Sequence, residues 1–296
     1  MASISIIILA YREPDFLNAL MACLARQTLA PAEILIVDDA SGDEFTSRYH
    51  LPPHARLLVN AQRQALAAVS RNIALRAARG EYVAFVDQDD LWLPEKLAVQ
   101  AVALAAQPAA VLHYTHLQAV DETLRPLPRQ PDFAPLGGDP LARLLRRNSI
   151  AYSSAMMRRS ALDRIGYFDE SIRAAADWDM WLRAAGAGAI LADPRPLLLR
   201  RFHPRQWSKS PLMMAQGAEK VMAKAAAWVP GRRPDLRGLA RRRHARWLRE
   251  LARAQLDAGD GAAESMALLR RAAKMSPLNL KTYRLMARAL LARRAT

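Results

Sequence analysis

Cysteine is nearly absent from this chain, and long hydrophobic runs are absent altogether. One cysteine, Cys23, occurs in 296 residues. This excludes a disulfide framework and a cysteine-based zinc site, and it fits a reducing compartment. No stretch reaches the ~18 uninterrupted apolar residues of a membrane span, and the N-terminus lacks the basic segment of a secretory signal. These absences predict a cytoplasmic protein.

Acidic side chains are scarce in the last third of the chain. Residues 1–200 hold 21 lysines and arginines against 22 aspartates and glutamates, whereas residues 201–296 hold 22 basic and 6 acidic side chains. The net charge of +15 therefore belongs to the C-terminal part and says nothing about the chemistry of the first 200 residues. Such a charge predicts an anionic surface as partner, either lipid or nucleic acid.

The chain does contain a regular alternation of short apolar strands and amphipathic helices. Strands are predicted over 3–9, 33–37, 56–59, 82–86 and 110–114. Helices are predicted between them over 14–26, 64–79 and 94–106. Gly80 is expected to close the second helix in the usual C-terminal position. This rhythm predicts an α/β fold whose mainly parallel sheet carries helices on both faces.

The rest of the chain divides into two parts. A Pro- and Gly-rich loop over 123–139 precedes a strand over 151–157, a helix over 176–185 and an extended stretch over 196–202. From residue 211 the pattern is purely helical. We therefore expect a first domain over 1–210 and a basic α-helical extension over 211–296.

Polar side chains directly follow three of the predicted strands. The residues concerned are Tyr11 after the first strand, Asp38 and Asp39 after the second, and Asp87, Asp89 and Asp90 after the fourth. Ligands of parallel α/β sheets bind at the carboxyl ends of the strands. We therefore expect these side chains to share one site.

The acidic run Asp87, Asp89 and Asp90 repels itself unless a hard cation neutralises it or the carboxyl groups take up protons. Mg²⁺ and Mn²⁺ usually take one or two carboxylates and complete their shell with water and substrate phosphates. A metal-bound diphosphate is thus a ligand that this acidic run could bind. The alternative is a solvated turn in which Asp90 caps the helix that follows.

Three sequence blocks, in this order and spacing, resemble the inverting nucleotide-sugar glycosyltransferases of family 2, which have the GT-A fold. They are VDDAS at 37–41, SRNIALRAARGEYVAFVDQDDLWLPEKL at 70–97 and ADWDMWLRAA at 176–185, and the resemblance covers roughly residues 3–210. It implies a Rossmann-like GT-A domain. It also implies transfer of a sugar from a UDP- or dTDP-linked donor to a glycan or lipid-linked acceptor, as in bacterial surface polysaccharide synthesis.

The resemblance assigns six residues to the donor. Tyr11 and Asp39 would hold the nucleotide base, and Arg71 would lie near the diphosphate. Asp87 would face the sugar or ribose, and Arg201 would help to hold the diphosphate charge, together with its neighbour Arg200. The family usually has Pro-Thr-Tyr-Asn at 9–12, where this chain has Leu-Ala-Tyr-Arg, so only the tyrosine of this turn matches well.

The remaining roles concern chemistry. Asp89 would ligate Mg²⁺ or Mn²⁺, and His203, in the block RRFHPRQWSKS at 200–210, would ligate the metal or contact the diphosphate. Asp177 would be the catalytic base, although the family's preceding glutamate is replaced here by Ala176. The alternatives are a helix cap at Asp177 and, if it is not the base, Asp179 in that role.

The basic extension leaves several interpretations open. Its helix from Arg237 is expected to pack on the catalytic domain with a solvated face, or to lie on anionic lipid at the inner face of the cell membrane. Residues 262–294 resemble one helical hairpin of the tetratricopeptide kind. The alternative function is a nucleotide-sugar-binding or scaffold protein whose tail binds nucleic acid or partners. The presence of Asp89 and Asp177 favours the enzyme.

Overall fold

A computed structural model of the chain describes residues 2–64, 66–131, 135, 137–204, 210–259 and 261–294. The strands are β1 (Ile4–Ala10), β2 (Glu33–Asp38), β3 (Ala55–Val59), β4 (Tyr82–Asp87), β5 (Leu91–Trp92), β6 (Ala110–Val120), β7 (Ala155–Arg158) and β8 (Ala189–Arg201). The helices of the first part are α1 (Pro14–Leu24), α2 (Asp43–Thr46), α3 (Ala67–Ala77), α4 (Lys96–Ala106), α5 (Pro140–Arg146), α6 (Arg159–Ile165) and α7 (Ala176–Ala185). The later helices are α8 (Pro211–Arg232), α9 (Arg237–Asp257), α10 (Ala262–Met275) and α11 (Leu280–Arg294).

The strands form one mixed sheet in the order β3-β2-β1-β4-β7-β6-β8-β5. Strands β3, β2, β1 and β4 are parallel, so their carboxyl ends meet at one edge. Strand β7 is antiparallel to both β4 and β6, while β6 and β8 are parallel. The predicted parallel sheet is thus confirmed for the first half, and the second half adds antiparallel pairings.

Helices cover both faces of the sheet, as predicted, because successive side chains of a strand point to opposite sides. On β1, Ile6 and Ile8 pack in one buried cluster with Leu17 of α1. Ile7 packs in a second cluster with Trp181 of α7. The α/β interpretation of the sequence therefore holds for the core.

Two predicted helix ends were wrong, both for reasons of tertiary contact. Helix α3 begins at Ala67 rather than at residue 64, because the backbone N–H of Gln64 donates to Asp39 instead. Gly80 is not a left-handed cap. A Cβ at Gly80 would come within 2.5 Å of the backbone nitrogen of Ser5, so the glycine permits close approach to β1.

Strands β6 and β8 are longer than predicted. Proline inside a run argues against a strand, and β8 contains Pro194 and Pro196. The two strands pair along almost their whole length, with register shifts around His116, the partner of Pro196. Local irregularity thus accommodates the proline without ending the strand.

The helices from residue 211 onward pack partly on the sheet and partly on each other. Val221 and Val229 of α8 belong to the same buried cluster as Trp181, and the rings of Trp247 in α9 and Trp178 in α7 meet edge to face at 5.8 Å. Helices α10 and α11 enclose a small separate core with the end of α9. Division into two domains at residue 210 stays a prediction.

Among the residues that the structure describes, no helix combines the length and apolarity that crossing a bilayer requires.

Helix α8 lies directly against the segment that leads into α7. A Cβ at Gly217 would lie 2.0 Å from the carbonyl oxygen of Ala174, so only glycine permits this contact. Lys224 of α8 donates to Asp179 of α7 at 3.0 Å. Helix α8 therefore fixes the position of the α7 N-terminus.

Gly217→Ala is expected to destabilise the protein by about 1–3 kcal/mol, because the added methyl group overpacks a fixed backbone contact. Gly231→Ala is the matched control in the same helix, since its Cβ meets nothing within 4 Å. Both substitutions remove a helical glycine, so thermal or urea unfolding of the two variants isolates the contact. Equal stability of the two variants would contradict this packing role.

Candidate active site

A cavity of about 920 Å³ opens at the carboxyl ends of β1, β2 and β4. All nine residues that the resemblance singled out fall within the described part of the chain. Eight of them line this cavity: Tyr11, Asp39, Arg71, Asp87, Asp89, Asp177, Arg200 and His203. Residues separated by as many as 192 positions in the sequence thus meet in one place.

The three acids after β4 lie close together and differ in their partners. One oxygen from each of Asp87, Asp89 and Asp90 lies within 4.8 Å of the others. Asp90 is buried, accepts the Ser153 hydroxyl at 2.5 Å, and accepts the backbone N–H of Arg201 at 3.0 Å. Burial raises the pKa of Asp90 well above its ordinary value, and the charges of the other two acids raise it further.

These contacts correct the alternative interpretation of Asp90. The helix that follows begins only at Lys96, with Glu95 in the capping position, so Asp90 caps nothing. Both of its oxygens are bound to protein groups. It therefore anchors the loop, whereas Asp87 and Asp89 offer their carboxylates to the cavity that all three acids line.

Asp87 and Asp89 each contact a basic side chain. Asp87 Oδ1 accepts a hydrogen bond from Arg71 Nη2 at 2.7 Å, and Asp89 Oδ2 lies 2.9 Å from His203 Nε2. Burial raises the pKa of Asp87, and the Arg71 charge opposes this rise. Two adjacent carboxylates are a donor set that Mg²⁺ and Mn²⁺ prefer, so the residues present fit a divalent cation.

The acids after β2 separate into one core residue and one cavity residue. Asp38 is fully buried and accepts hydroxyl hydrogen bonds from Ser41 at 2.6 Å and Tyr49 at 2.7 Å. Asp39 lines the cavity, where its Oδ1 accepts from Asn60 Nδ2 at 2.9 Å. The sequence-based preference for Asp39 over Asp38 agrees with this placement.

Gln88 locks the turn after β1 to the loop after β4. Its side-chain oxygen accepts the Tyr11 N–H at 2.9 Å, and its side-chain nitrogen donates to the Tyr11 carbonyl at 3.1 Å. The Arg63 guanidinium lies 4.4 Å from the centre of the Tyr11 ring. Gln88 was not predicted, because a single sequence gives no signal for the residue between Asp87 and Asp89.

Asp177 lies in the first turn of α7 rather than at its cap. The cap position belongs to Ala175, whose φ of 62° is left-handed, so the alternative interpretation of Asp177 as a cap was wrong. Asp177 Oδ2 accepts from Asn148 Nδ2 at 3.3 Å, and its Oδ1 accepts the Trp178 N–H at 2.8 Å. Burial raises the pKa of Asp177, against the opposing charge of Arg71.

Asp179, the second acid of this helix, is held away from the cavity by basic side chains. Its side chain is 2% exposed and its Oδ2 accepts from Arg183 Nε at 2.9 Å and Lys224 Nζ at 3.0 Å. Such a buried, doubly paired carboxylate stabilises the fold and is poorly placed to accept a proton from a ligand.

Arg71 connects the two acidic groups of the cavity. It pairs with Asp87 and stacks 3.9 Å from the centre of the Tyr152 ring. Its positive charge opposes the rise that burial causes in the pKa of both Asp87 and Asp177. The supporting residues Tyr152, Ser153 and Asn148 were not predicted. They act through contacts made only in the folded chain.

Arg201 is the one predicted residue outside the cavity wall. Its guanidinium lies 4.5 Å from the Phe16 ring centre and donates to the Glu122 carbonyl at 3.4 Å. Arg200 lines the cavity instead. A role for Arg201 at the diphosphate stays a prediction, and the rest of that block, residues 205–209, lies outside the described residues.

Comparison with known proteins identifies the family of the chain. The sequence model of Glycosyl transferase family 2 matches residues 5–166, more than half of the chain, and the chain belongs to this family. It is therefore a nucleotide-sugar glycosyltransferase, as the three sequence blocks predicted.

Two curated bacterial proteins illustrate the family likeness. The uncharacterized glycosyltransferase YwdF of Bacillus subtilis is 29% identical over 187 residues, which cover 62% of this chain and 68% of that protein. The Escherichia coli protein WfaP, named UDP-Glc:alpha-D-GlcNAc-diphosphoundecaprenol beta-1,3-glucosyltransferase, is 27% identical over 191 residues, covering 64% and 72%.

Solved structures show the same GT-A fold. S. aureus TarS 1-349 in complex with UDP-GlcNAc matches with a TM-score of 0.70 at 17% identity, over 98% of this chain and 89% of that chain. The mannosyltransferase PcManGT from Pyrobaculum calidifontis, in complex with GDP-Man and Mn²⁺, matches with a TM-score of 0.60 at 18% identity, over 99% and 86%.

Proposed function

We propose that this chain transfers a sugar, with inversion at the anomeric carbon, from a UDP- or dTDP-linked donor to an acceptor hydroxyl. The setting is bacterial surface polysaccharide or glycoconjugate synthesis, and the reaction depends on Mg²⁺ or Mn²⁺. The observation that carries this proposal is that Asp177 and the pair Asp87 and Asp89 line one cavity with Arg71 between them. The UDP-Glc named for WfaP and the UDP-GlcNAc bound to TarS support the donor class.

The donor occupies the end of the cavity formed by β1, β2 and β4. Tyr11 and Asp39 hold the nucleotide base, and Arg71 compensates the charge of the diphosphate. Asp89 and His203 would hold the divalent cation, which supplies positive charge to the departing diphosphate when it is bound. The Mn²⁺ in the PcManGT complex supports this cofactor class.

The acceptor lies beside Asp177, which takes the proton from the attacking hydroxyl. Asn148 orients this carboxylate through the hydrogen bond to Oδ2. The raised pKa of Asp177 brings its basicity nearer to the working pH. One base and a stabilised leaving group suffice for a single displacement, so the configuration inverts. A glycosidase instead requires two carboxylates that flank the bond.

Asp177→Asn is expected to lower turnover by about 10²–10⁴-fold, because an amide cannot accept the proton. Binding of UDP should remain unchanged, since Asp177 contacts the acceptor. Initial rates with a UDP-sugar, combined with UDP titration, measure both effects. Asp163→Asn, an exposed substitution on α6, is the control and should behave as wild type.

The pH dependence gives a second readout of the same substitution. Asp177 must be ionised to act, and its folded pKa is raised. Turnover should therefore fall as the pH is lowered through a value above ~3.9, the ordinary aspartate pKa. An unchanged rate and acid limb in Asp177→Asn would refute the base assignment.

We also propose that α11 holds the enzyme at the inner face of the cell membrane. On the face of α11 opposite its buried Thr282 and Ala289, Leu280 is 70% exposed and Leu291 68%, with the exposed Arg284 between them. Residues 201–296 carry 22 basic against 6 acidic side chains. Exposed leucines on a strongly basic part of a protein are complementary to an anionic lipid surface.

Wild-type protein is expected to sediment with vesicles that contain phosphatidylglycerol and to remain free with phosphatidylcholine alone. Leu280→Ser/Leu291→Ser should lose at least half of this binding, because it removes apolar contact with the bilayer. Val102→Ser, which changes a 69% exposed residue of α4, is the control. Equal sedimentation of the double variant and wild type, or self-association without vesicles, would contradict the membrane role of this face.

A further inference from the structure

Three arginines at the end of α5 line the cavity close to Asp177. Arg143 and Arg146 lie in the last turn of α5, Arg147 follows directly, and all three contribute to the cavity wall. Asn148, the next residue, donates to Asp177 Oδ2 at 3.3 Å. A cluster of positive charge is thus joined through one short segment to the proposed catalytic base.

None of these arginines forms an ion pair within the described part of the chain. Arg143 donates to the Pro135 carbonyl at 3.3 Å and Arg146 to the Ala142 carbonyl at 3.1 Å. Like charges three or four positions apart on a helix repel each other. The cluster therefore carries uncompensated positive charge at the cavity wall.

Helix capping does not account for the cluster. Arginines near a helix C-terminus commonly satisfy its last carbonyl groups. In α5 this role belongs to Arg243 of α9, whose guanidinium donates to the carbonyl of Leu145 at 3.1 Å and to that of Arg146. The guanidinium groups of Arg143 and Arg146 each use only one nitrogen in a hydrogen bond to a carbonyl, so all three arginines keep N–H donors for a ligand.

Helix α5 is also fixed at its other end and along its length. Asp139 caps it by accepting the Ala142 N–H at 3.0 Å and pairs with Arg233 at 2.7 Å. The indole N–H of Trp178 donates to the Leu144 carbonyl at 2.8 Å. Groups presented from a fixed element lose less conformational freedom when they bind.

We propose that Arg143, Arg146 and Arg147 bind a phosphate or diphosphate group of the acceptor and so place its hydroxyl beside Asp177. This assignment rests on the proposed transferase function. The guanidinium fork matches phosphate oxygens. The donor diphosphate belongs elsewhere in the cavity, with Arg71 and the pair Asp89 and His203. The acceptor is therefore an anionic, phosphate-bearing molecule, either a lipid-carrier diphosphate or a phosphate-containing glycan.

The test uses the full chain with its donor site filled. Wild type and Arg143→Gln/Arg146→Gln/Arg147→Gln, each saturated with UDP and excess Mg²⁺, are titrated calorimetrically with isopentenyl diphosphate and, separately, with glycerol 3-phosphate. Glutamine preserves helix propensity and removes only the charge. The control Arg164→Gln/Arg253→Gln/Arg270→Gln makes the same change in net charge at exposed positions outside the cavity.

Wild type and control should bind at least one probe, and the α5 variant should bind it at least tenfold more weakly. Tighter binding of isopentenyl diphosphate indicates a lipid-carrier acceptor, and tighter binding of glycerol 3-phosphate indicates a phosphate-containing glycan. All three proteins should bind UDP equally. Wild type that binds neither probe, or an α5 variant that binds as wild type does, would overturn the assignment. A loss of UDP affinity in the α5 variant as large as its loss of probe affinity would also overturn the assignment, since it would place the arginines on the donor. Failure of the underlying function is distinguishable, because wild type would then not bind UDP.

Discussion

Carboxylates at the end of a buried strand are costly unless each has a partner, and the structure around β4 meets this constraint with three different partners. Asp90 accepts hydrogen bonds from the Ser153 hydroxyl and from a backbone N–H. Asp87 accepts one from Arg71, and Asp89 contacts His203. The first arrangement uses the acid to hold the loop, and the other two leave carboxylate oxygens facing the cavity. An unpaired charge in such a place costs several kcal/mol, which is why each of the three acids has a partner.

The same cavity depends on the basic extension for its shape. Helix α8 carries Gly217 against Ala174, which sets the left-handed turn at Ala175 and thereby the first turn of α7. Arg233 and Arg243 hold the two ends of α5. A left-handed alanine costs of order 1 kcal/mol and persists only where surrounding contacts impose it. The arginine-rich helices thus act partly as internal supports and are not wholly a charged surface.

The acids of the site could be predicted from the sequence because the carboxyl ends of parallel strands meet at one edge. Supporting groups such as Ser153 could not, since its partners Asp87 and Asp90 lie 66 and 63 positions away. The sequence could not show which of Arg200 and Arg201 lines the cavity, and the reason is physical. Neighbouring residues of a strand point to opposite faces, and a one-residue error in register exchanges the two. The contacts by which the extension holds α5 could not be predicted either. An arginine that binds the end of a helix and an arginine that faces water give the same sequence pattern.

The acids after β4 are proposed to bind a divalent cation together with a nucleoside diphosphate, and one thermal-shift experiment tests this binding directly. Unfolding of wild type and Asp89→Asn is followed with UDP alone, Mn²⁺ alone and both together, because a ligand that binds only the folded state raises the melting temperature. UDP and Mn²⁺ together should stabilise wild type more than the sum of their separate effects. Asp89→Asn should fold normally but show no such cooperation. The same cooperative shift in Asp89→Asn, or its absence from wild type, would contradict cation binding by these acids.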